Sequence, residues 1–335
     1  MTVALDSIPR FSGEEAIELA RAQYGLSGNV SPLPSERDQN FLIDDPARGK
    51  FVLKIANRDD SPELLDFQHQ AMRLLARSGL DFSVQQLVLP LSGADLAGII
   101  GPAGDRHCVR VLRWIDGELL GERRARNPAL LRSIGTGVGR VDLALRDFSH
   151  PAMHRVLQWD LRHAGLARDK AALLPGASRQ RVERAFAGWD AIEWNRLRHG
   201  VIHGDANDYN VLVDADRMAG LLDFGDMVHS AVVCDLAVAL AYAMLHQPDP
   251  LAAAASVIRG YHGVNPLTDA EQRALCPLVL SRLAASLCYA AHNASRNPDD
   301  PYQVITEQSA RRLLERLDAC PADAFAAMVD EACGS

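Results

Sequence analysis

Residues 211–213 (Val-Leu-Val) and 218–222 (Met-Ala-Gly-Leu-Leu) are two short apolar runs joined by Asp214-Ala-Asp-Arg217, a spacing that predicts a β-hairpin. A hairpin this tight fixes its own neighbours. Asn210 comes directly before the first run and Asp223 directly after the second, so pairing the strands sets the two polar residues side by side. Upstream, residues 201–210 read Val-Ile-His-Gly-Asp-Ala-Asn-Asp-Tyr-Asn, and downstream Asp223 opens Asp-Phe-Gly-Asp. Asp205 and Asn210 have the Asp-to-Asn spacing of a kinase catalytic loop, and Asp-Phe-Gly is the matching second signature.

That arrangement suits one chemistry. A carboxylate and an amide oxygen at adjacent strand ends are the hard ligands Mg²⁺ takes while keeping several waters. Phosphoryl transfer needs little more than positioning and charge neutralisation. Asp205 lies outside the metal pair Asn210 and Asp223, where it can orient a hydroxyl and accept its proton. Each of the three alone reads equally as a polar turn residue. Spacing, context and the strand–turn–strand setting together favour the functional reading.

Elsewhere the chain divides by pattern. Ser12 and Glu15 form a capping box for a helix ending near Gly25. Residues 28–33, 39–43 and 51–56 read as strands, with Asp-Pro-Ala-Arg-Gly at 45–49 as a hairpin turn. Ser61, Pro62 and Gly79 bracket a helix over 61–77. Strands at 86–90 and 107–114 flank a Gly/Pro-rich turn, and Ile115-Asp-Gly117 forms a polar joint. Asn127-Pro128 then starts a long helix containing Gly135, Gly137 and Gly139, which demands close packing against a neighbour. Further helices are expected near 179–198, 230–246, 250–260, 268–294 and 304–332. A small β-rich region followed by a large helical one results.

His-Gly-Asp-Ala-Asn-Asp-Tyr-Asn at 203–210 and Leu-Leu-Asp-Phe-Gly-Asp at 221–226 resemble the aminoglycoside phosphotransferase and choline kinase superfamily. With Leu-Pro-Ser-Glu-Arg-Asp-Gln-Asn-Phe-Leu-Ile at 33–43 and Val-Leu-Lys-Ile-Ala-Asn at 52–57, the chain looks most like the hydroxylysine kinase branch, over about residues 10–310. The resemblance implies an α+β, protein-kinase-like fold of two lobes: a nucleotide-binding one over 1–115, and a catalytic and substrate-binding one over 116–335. It implies that His203 supports the loop structurally and that Asp235 braces it, the alternative for Asp235 being a helix cap. Lys54 takes the position of the third-strand lysine that meets the nucleotide phosphates, the alternative being an exposed residue on an alternating strand. The partner of that lysine falls at Gln68, with Asp66 and Glu63 as nearby alternatives. The phosphate-covering loop has no glycine, which leaves Ser35 and backbone amides to bind phosphate. The nucleotide base is expected at the backbone of Arg113 and Trp114.

The expected activity is transfer of the γ-phosphoryl group of ATP or GTP, with Mg²⁺, to an amino alcohol or hydroxylated amino acid, 5-hydroxylysine being favoured. Asp205, Asp208 and Asp226 cluster by sequence, which suits a small cationic acceptor with Asp208 and Asp226 contacting it. The rivals are an aminoglycoside, homoserine or ethanolamine-type kinase, and a catalytically inactive kinase fold serving as a binding module. A binding module need not retain Lys54, Asp205, Asn210 and Asp223. No Ala-Pro-Glu anchor follows Asp223, which argues against a protein kinase. A net charge of −8 gives no basic footprint for nucleic acid. Six scattered cysteines without a Cys-x-x-Cys pair read as reduced thiols. No apolar run is read as long enough to span a membrane, and the N-terminus shows no signal peptide, so a cytoplasmic enzyme is expected. The branch also implies an aminotransferase as functional partner.

Overall fold

The structure is a computed structural model that describes residues 8–35, 37–101, 104–296, 307–321 and 323–334. Residues 1–7 of the N-terminus read for a leader, Glu36 of the phosphate-covering loop, and 304–306 of the last expected helix lie outside the described residues. The chain falls into two compact units. The first gathers the described residues of Met1–Gly79, Ser83–Asp116 and His150–Ala152, and the second those of Leu80–Phe82, Gly117–Ser149 and Met153–Ser335.

The first unit contains α1 (Gly13–Tyr24), β1 (Asn29–Leu33), β2 (Gln39–Asp45), β3 (Gly49–Ile55), α2 (Pro62–Leu75), β4 (Ser83–Val84), β5 (Leu87–Val88), β6 (Ala97–Ile100) and β7 (Arg106–Arg113). The Ser12–Glu15 capping box forms and starts α1. The antiparallel sheet runs β1-β2-β3-β7-β5, with β6 also on β7. Asp45 shapes the β2–β3 turn by accepting the N–H groups of Ala47 and Arg48. Strand alternation sends Phe41, Ile43, Phe51, Leu53, Val109 and Val111 to one face, where Ala16, Ala20 and Tyr24 of α1 pack against them. The strand β6 corrects the reading of this stretch as a turn. Ala97-Gly-Ile-Ile100 is short and set among glycines and a proline, so its pairing with β7 leaves a weak local signal.

The second unit contains β8 (Glu118–Leu119), α3 (Pro128–Leu145), α4 (Gly176–Asp190), β9 (His199–Ile202), β10 (Val211–Asp214), β11 (Arg217–Leu221), β12 (Val228–Ala231), α5 (Val233–Ala243), α6 (Pro250–His262), α7 (Asp269–Arg296), α8 (Glu307–Asp318) and α9 (Ala324–Gly334). The expected hairpin is β10–β11, which β8 extends, while β9 pairs with β12. The glycines of α3 do allow close packing: a Cβ on Gly135 would overlap the carbonyl of Val257, and one on Gly260 would overlap that of Arg132. The helices α3 and α6 therefore touch backbone to backbone. The single helix expected over 304–332 is two, α8 and α9, with Pro321 in the break. A 3₁₀ run at Leu161–Leu173, begun by the Asp160 cap, was not expected. By length and composition α7 is long and apolar enough to cross a membrane, contrary to the sequence reading, although 78% of the apolar 18-residue window within it is buried inside the protein.

Candidate active site

In the second unit, Val211 lies opposite Leu221, and the Leu222 N–H donates to the Asn210 carbonyl at 2.8 Å. Asn210 and Asp223 therefore meet at the open end of the hairpin. Asn210 Nδ2 donates to the Asp205 carbonyl at 2.9 Å and to its Oδ2 at 2.8 Å, which commits the amide nitrogen and leaves the amide oxygen to face elsewhere. Asp223 adopts a left-handed backbone, φ 54°, unusual for a residue other than glycine, and its Oδ1 accepts the Gly225 N–H at 3.0 Å.

The loop ahead of the hairpin is fixed from behind. Asp235 accepts the His203 N–H at 2.9 Å and the Gly204 N–H at 2.6 Å. The buried His203 ring donates from Nε2 to the Leu222 carbonyl at 3.0 Å, and Nδ1 accepts the Asp205 N–H at 3.3 Å. Burial lowers the His203 pKa, which keeps the ring neutral and able to do both. Gly204 has φ 82°, and a Cβ there would lie 2.6 Å from the Asp226 carbonyl oxygen, so this turn admits only glycine between His203 and Asp205.

Asp205 is held by three side chains. Its Oδ2 accepts from Nδ2 of both Asn207 and Asn210, each at 2.8 Å, and its Oδ1 accepts from Arg282 Nη2 at 2.6 Å. Burial pushes the carboxyl up to about 7; Arg282 opposes the rise, and Asp226 and Asp223 add to it. Arg282 is 2% exposed, with its guanidinium carbon 4.6 Å from the Trp159 ring centroid and 5.4 Å from that of Tyr242. Sequence reasoning did not find Arg282. The available signal was a lone cation in the apolar middle of α7, which has to find an anion when the helix is buried.

The three acids expected around an acceptor have different surroundings. Asp226 is near enough to Asp205 to raise its proton affinity. Asp208 is 3% exposed and lies 3.9 Å from Arg126 Nη2, with its pKa pushed up to about 6 by burial against the pull of that arginine. Arg126 in turn donates to the carbonyls of Leu120, Tyr242 and Ala243. Asp208 thus faces the framework of the unit.

In the first unit, Lys54 is 4% exposed, which removes the alternative of a solvated strand residue. It pairs across the sheet with Asn40 on one side and Arg110 on the other. Its ammonium lies 3.6 Å from Asp38 Oδ2, a carboxylate that Arg110 also approaches, at 3.9 Å. Gln68 Oε1 accepts from Arg110 Nη1 at 2.5 Å. An acidic neighbour of Lys54 thus comes from the glycine-free loop, and Gln68 accepts from Arg110. Asp66 accepts from Gln70 and lies 3.1 Å from His150 Nε2, while Glu63 is exposed in the first turn of α2. Ser35 is half-buried in that loop. The N–H groups of Arg113 and Trp114 donate to the carbonyls of Gln86 and Lys50, and Trp114 is 38% exposed.

No group of three His, Cys, Asp or Glu side chains assembles a metal site among the described residues. The uncommitted Asn210 oxygen and the Asp223 carboxylate are instead a pair of hard donors. That set fits a cation that fills its shell with waters and phosphate oxygens, as Mg²⁺ does.

Residues 29–276 match the model of the phosphotransferase enzyme family. The hydroxylysine kinase of Danio rerio is 30% identical over 334 residues, covering 93% of each chain. A homoserine kinase of Brucella melitensis biotype 2 is 29% identical over 255 residues, covering 74% of this chain and 73% of that one. Among solved structures, a microcompartment-associated aminopropanol kinase superposes with a TM-score of 0.71 at 18% identity, over 90% of this chain and 96% of the other.

Proposed function

The chain belongs to the phosphotransferase enzyme family and is a small-molecule kinase, and from that premise we propose that it phosphorylates the hydroxyl of a hydroxylated amino acid, 5-hydroxylysine first, from ATP or GTP. The observation that carries this reading is Asp205, a half-buried carboxylate held by the side chains of Asn207, Asn210 and Arg282 at the end of the hairpin that Asn210 and Asp223 flank. The acceptor class follows the names of the similar proteins, hydroxylysine kinase and homoserine kinase, both of which denote hydroxylated amino acids.

In this reading the acceptor O–H bond breaks and its proton passes to Asp205. The acceptor oxygen bonds to the γ-phosphorus, and the bond from phosphorus to the β,γ-bridging oxygen breaks. Its electron pair leaves on the nucleoside diphosphate. Asn210 and Asp223 would hold Mg²⁺, which supplies neutralisation of phosphate charge when bound. On the first unit, Lys54 is the phosphate-binding cation, Ser35 and the amides of its loop are further phosphate donors, and the backbone around Arg113 and Trp114 receives the base. Asp226 attracts the ammonium of the acceptor, and His203 and Asp235 keep the loop in shape.

A coupled assay comparing 5-hydroxylysine, homoserine, 1-amino-2-propanol and an aminoglycoside, each with ATP and with GTP, tests the assignment. The highest kcat/KM is expected for 5-hydroxylysine. Homoserine outranking it would move the assignment to a homoserine kinase, and activity on the aminoglycoside alone would overturn the amino-acid reading.

A further inference from the structure

We infer that Arg282 is a positioning residue of the phosphoryl-transfer step: with Asn207 and Asn210 on Oδ2, it orients Asp205 so that Oδ1, the oxygen it touches, receives the acceptor hydroxyl. The inference rests on the reading of Asp205 as proton acceptor.

A carboxylate offers about four lone-pair sites, two on each oxygen. Oδ2 of Asp205 already accepts two amide N–H groups, from Asn207 and Asn210, and is full. Oδ1 accepts one donor, Arg282 Nη2 at 2.6 Å, and keeps one site. A hydroxyl approaching this carboxylate therefore meets Oδ1. Once protonated, that oxygen retains a lone pair for the guanidinium, so Arg282 need not leave during transfer.

Arg282 is itself fixed. Its Nη1 donates to the Trp159 carbonyl at 3.1 Å while Nη2 holds Asp205, so one planar group ties the carboxylate to a backbone anchor. The rings of Trp159 and Tyr242 flank it and exclude water, which leaves its attraction for Asp205 weakly screened. Lysine carries the same charge without the fork.

A merely structural arginine would, on removal, lower stability and leave the remaining folded enzyme at normal turnover. A positioning arginine predicts a loss in kcat with nucleotide KM held. The experiment compares wild type, Arg282→Met, Arg282→Lys, Asp205→Asn and the double variant Asp205→Asn/Arg282→Met. Each is assayed with Mg²⁺, ATP or GTP and 5-hydroxylysine or homoserine, with thermal melts to confirm folding. Arg282→Met should lower kcat about 10²-fold, the scale of losing a well-placed base, with nucleotide KM within about twofold. Arg282→Lys should recover roughly tenfold of that loss. The double variant should be no slower than Asp205→Asn alone, because two residues acting through one oxygen do not lose independently. Near-normal kcat in folded Arg282→Met, or losses that multiply in the double variant, overturns the inference. If Arg282→Met does not fold, Arg282→Lys carries the test, and wild-type kcat in it would sink the claim. Near-normal turnover of Asp205→Asn would instead remove the reading of Asp205 itself.

Discussion

Asn210 holds Asp205 twice, donating from one amide nitrogen to its backbone carbonyl at 2.9 Å and to its Oδ2 at 2.8 Å. The side chain proposed to ligate the cation thus also sets the rotamer of the proposed proton acceptor. Asn210→Asp keeps an oxygen ligand but replaces a donor with an anion facing Asp205. It should retain magnesium-dependent nucleotide binding while kcat falls about 10²-fold. Asn210→Ala should weaken both. Titration calorimetry beside steady-state kinetics separates the two, and an Asp variant with lost binding and a normal rate would reverse the assignment.

Asp205→Asn and Asp223→Ala should fail differently. The first is expected to bind nucleotide normally and to lose roughly 10²-fold or more in kcat. The second removes a hard oxygen ligand and should abolish the magnesium dependence of nucleotide binding. Nucleotide affinity that still responds to magnesium in Asp223→Ala would place the metal site on other residues.

For Lys54, removal of the ammonium should raise nucleotide KM and lower kcat together, because phosphate charge is met in both ground and transition states. A charged hydrogen bond of about 1.5–3 kcal/mol corresponds to roughly a 10- to 100-fold loss in kcat/KM. Gln68→Glu keeps an acceptor for Arg110 and should stay folded and active. Asp38→Asn withdraws the carboxylate shared by two buried cations and should cost about 3 kcal/mol of stability, read by denaturant unfolding. An inactive Gln68→Glu together with a neutral Asp38→Asn would return the charge balance to the helix.

Behind the loop, Asp142 is a buried carboxyl close enough to Asp235 to feel its charge, and the Tyr261 hydroxyl donates to its Oδ2 at 2.5 Å. Burial, and then the charge of Asp235, raise its pKa well above the ordinary 3.8. A raised carboxyl means that the native state holds a proton the unfolded chain releases. Its contribution to stability is therefore complete below about pH 3.8 and declines as pH rises toward the folded value. Asp142→Asn replaces that proton with an amide donor of the same shape. Its melting temperature relative to wild type should climb steadily from pH 4 to pH 8. A constant difference across that range would show that Asp142 is ionised in the fold.

The hairpin and the placing of Asn210 and Asp223 at its ends were legible because the information is local: two apolar runs, one turn, and polar residues at the joins. His203, Gly204 and Asp235 were legible through wording shared with a superfamily. Arg282 was not, since it reaches Asp205 from a helix 77 residues further along and nothing beside it in sequence marks its target. Asp38 escaped for a related reason. The superfamily resemblance points to α2 for the lysine's partner, while the Asp38 carboxylate comes from a loop whose path no periodicity describes. Asp208 was expected at a cationic acceptor from its place in an acidic run, and its buried approach to Arg126, from a distant part of the chain, left no local mark in the sequence.

The seam closed by Gly135 and Gly260 reaches further than helix packing. Asp142 lies on α3 and Tyr261 on α6, so the bond between them exists only while those helices touch. In a mutational screen, alanine at Gly260 should therefore score with the loss-of-function alleles of the His203–Asn210 loop, although that position contacts neither nucleotide nor acceptor in the proposed reaction. Tolerance to substitution should follow the helix contact, and a map of harmful alleles would draw a line from the back of the helical unit to the proposed proton acceptor.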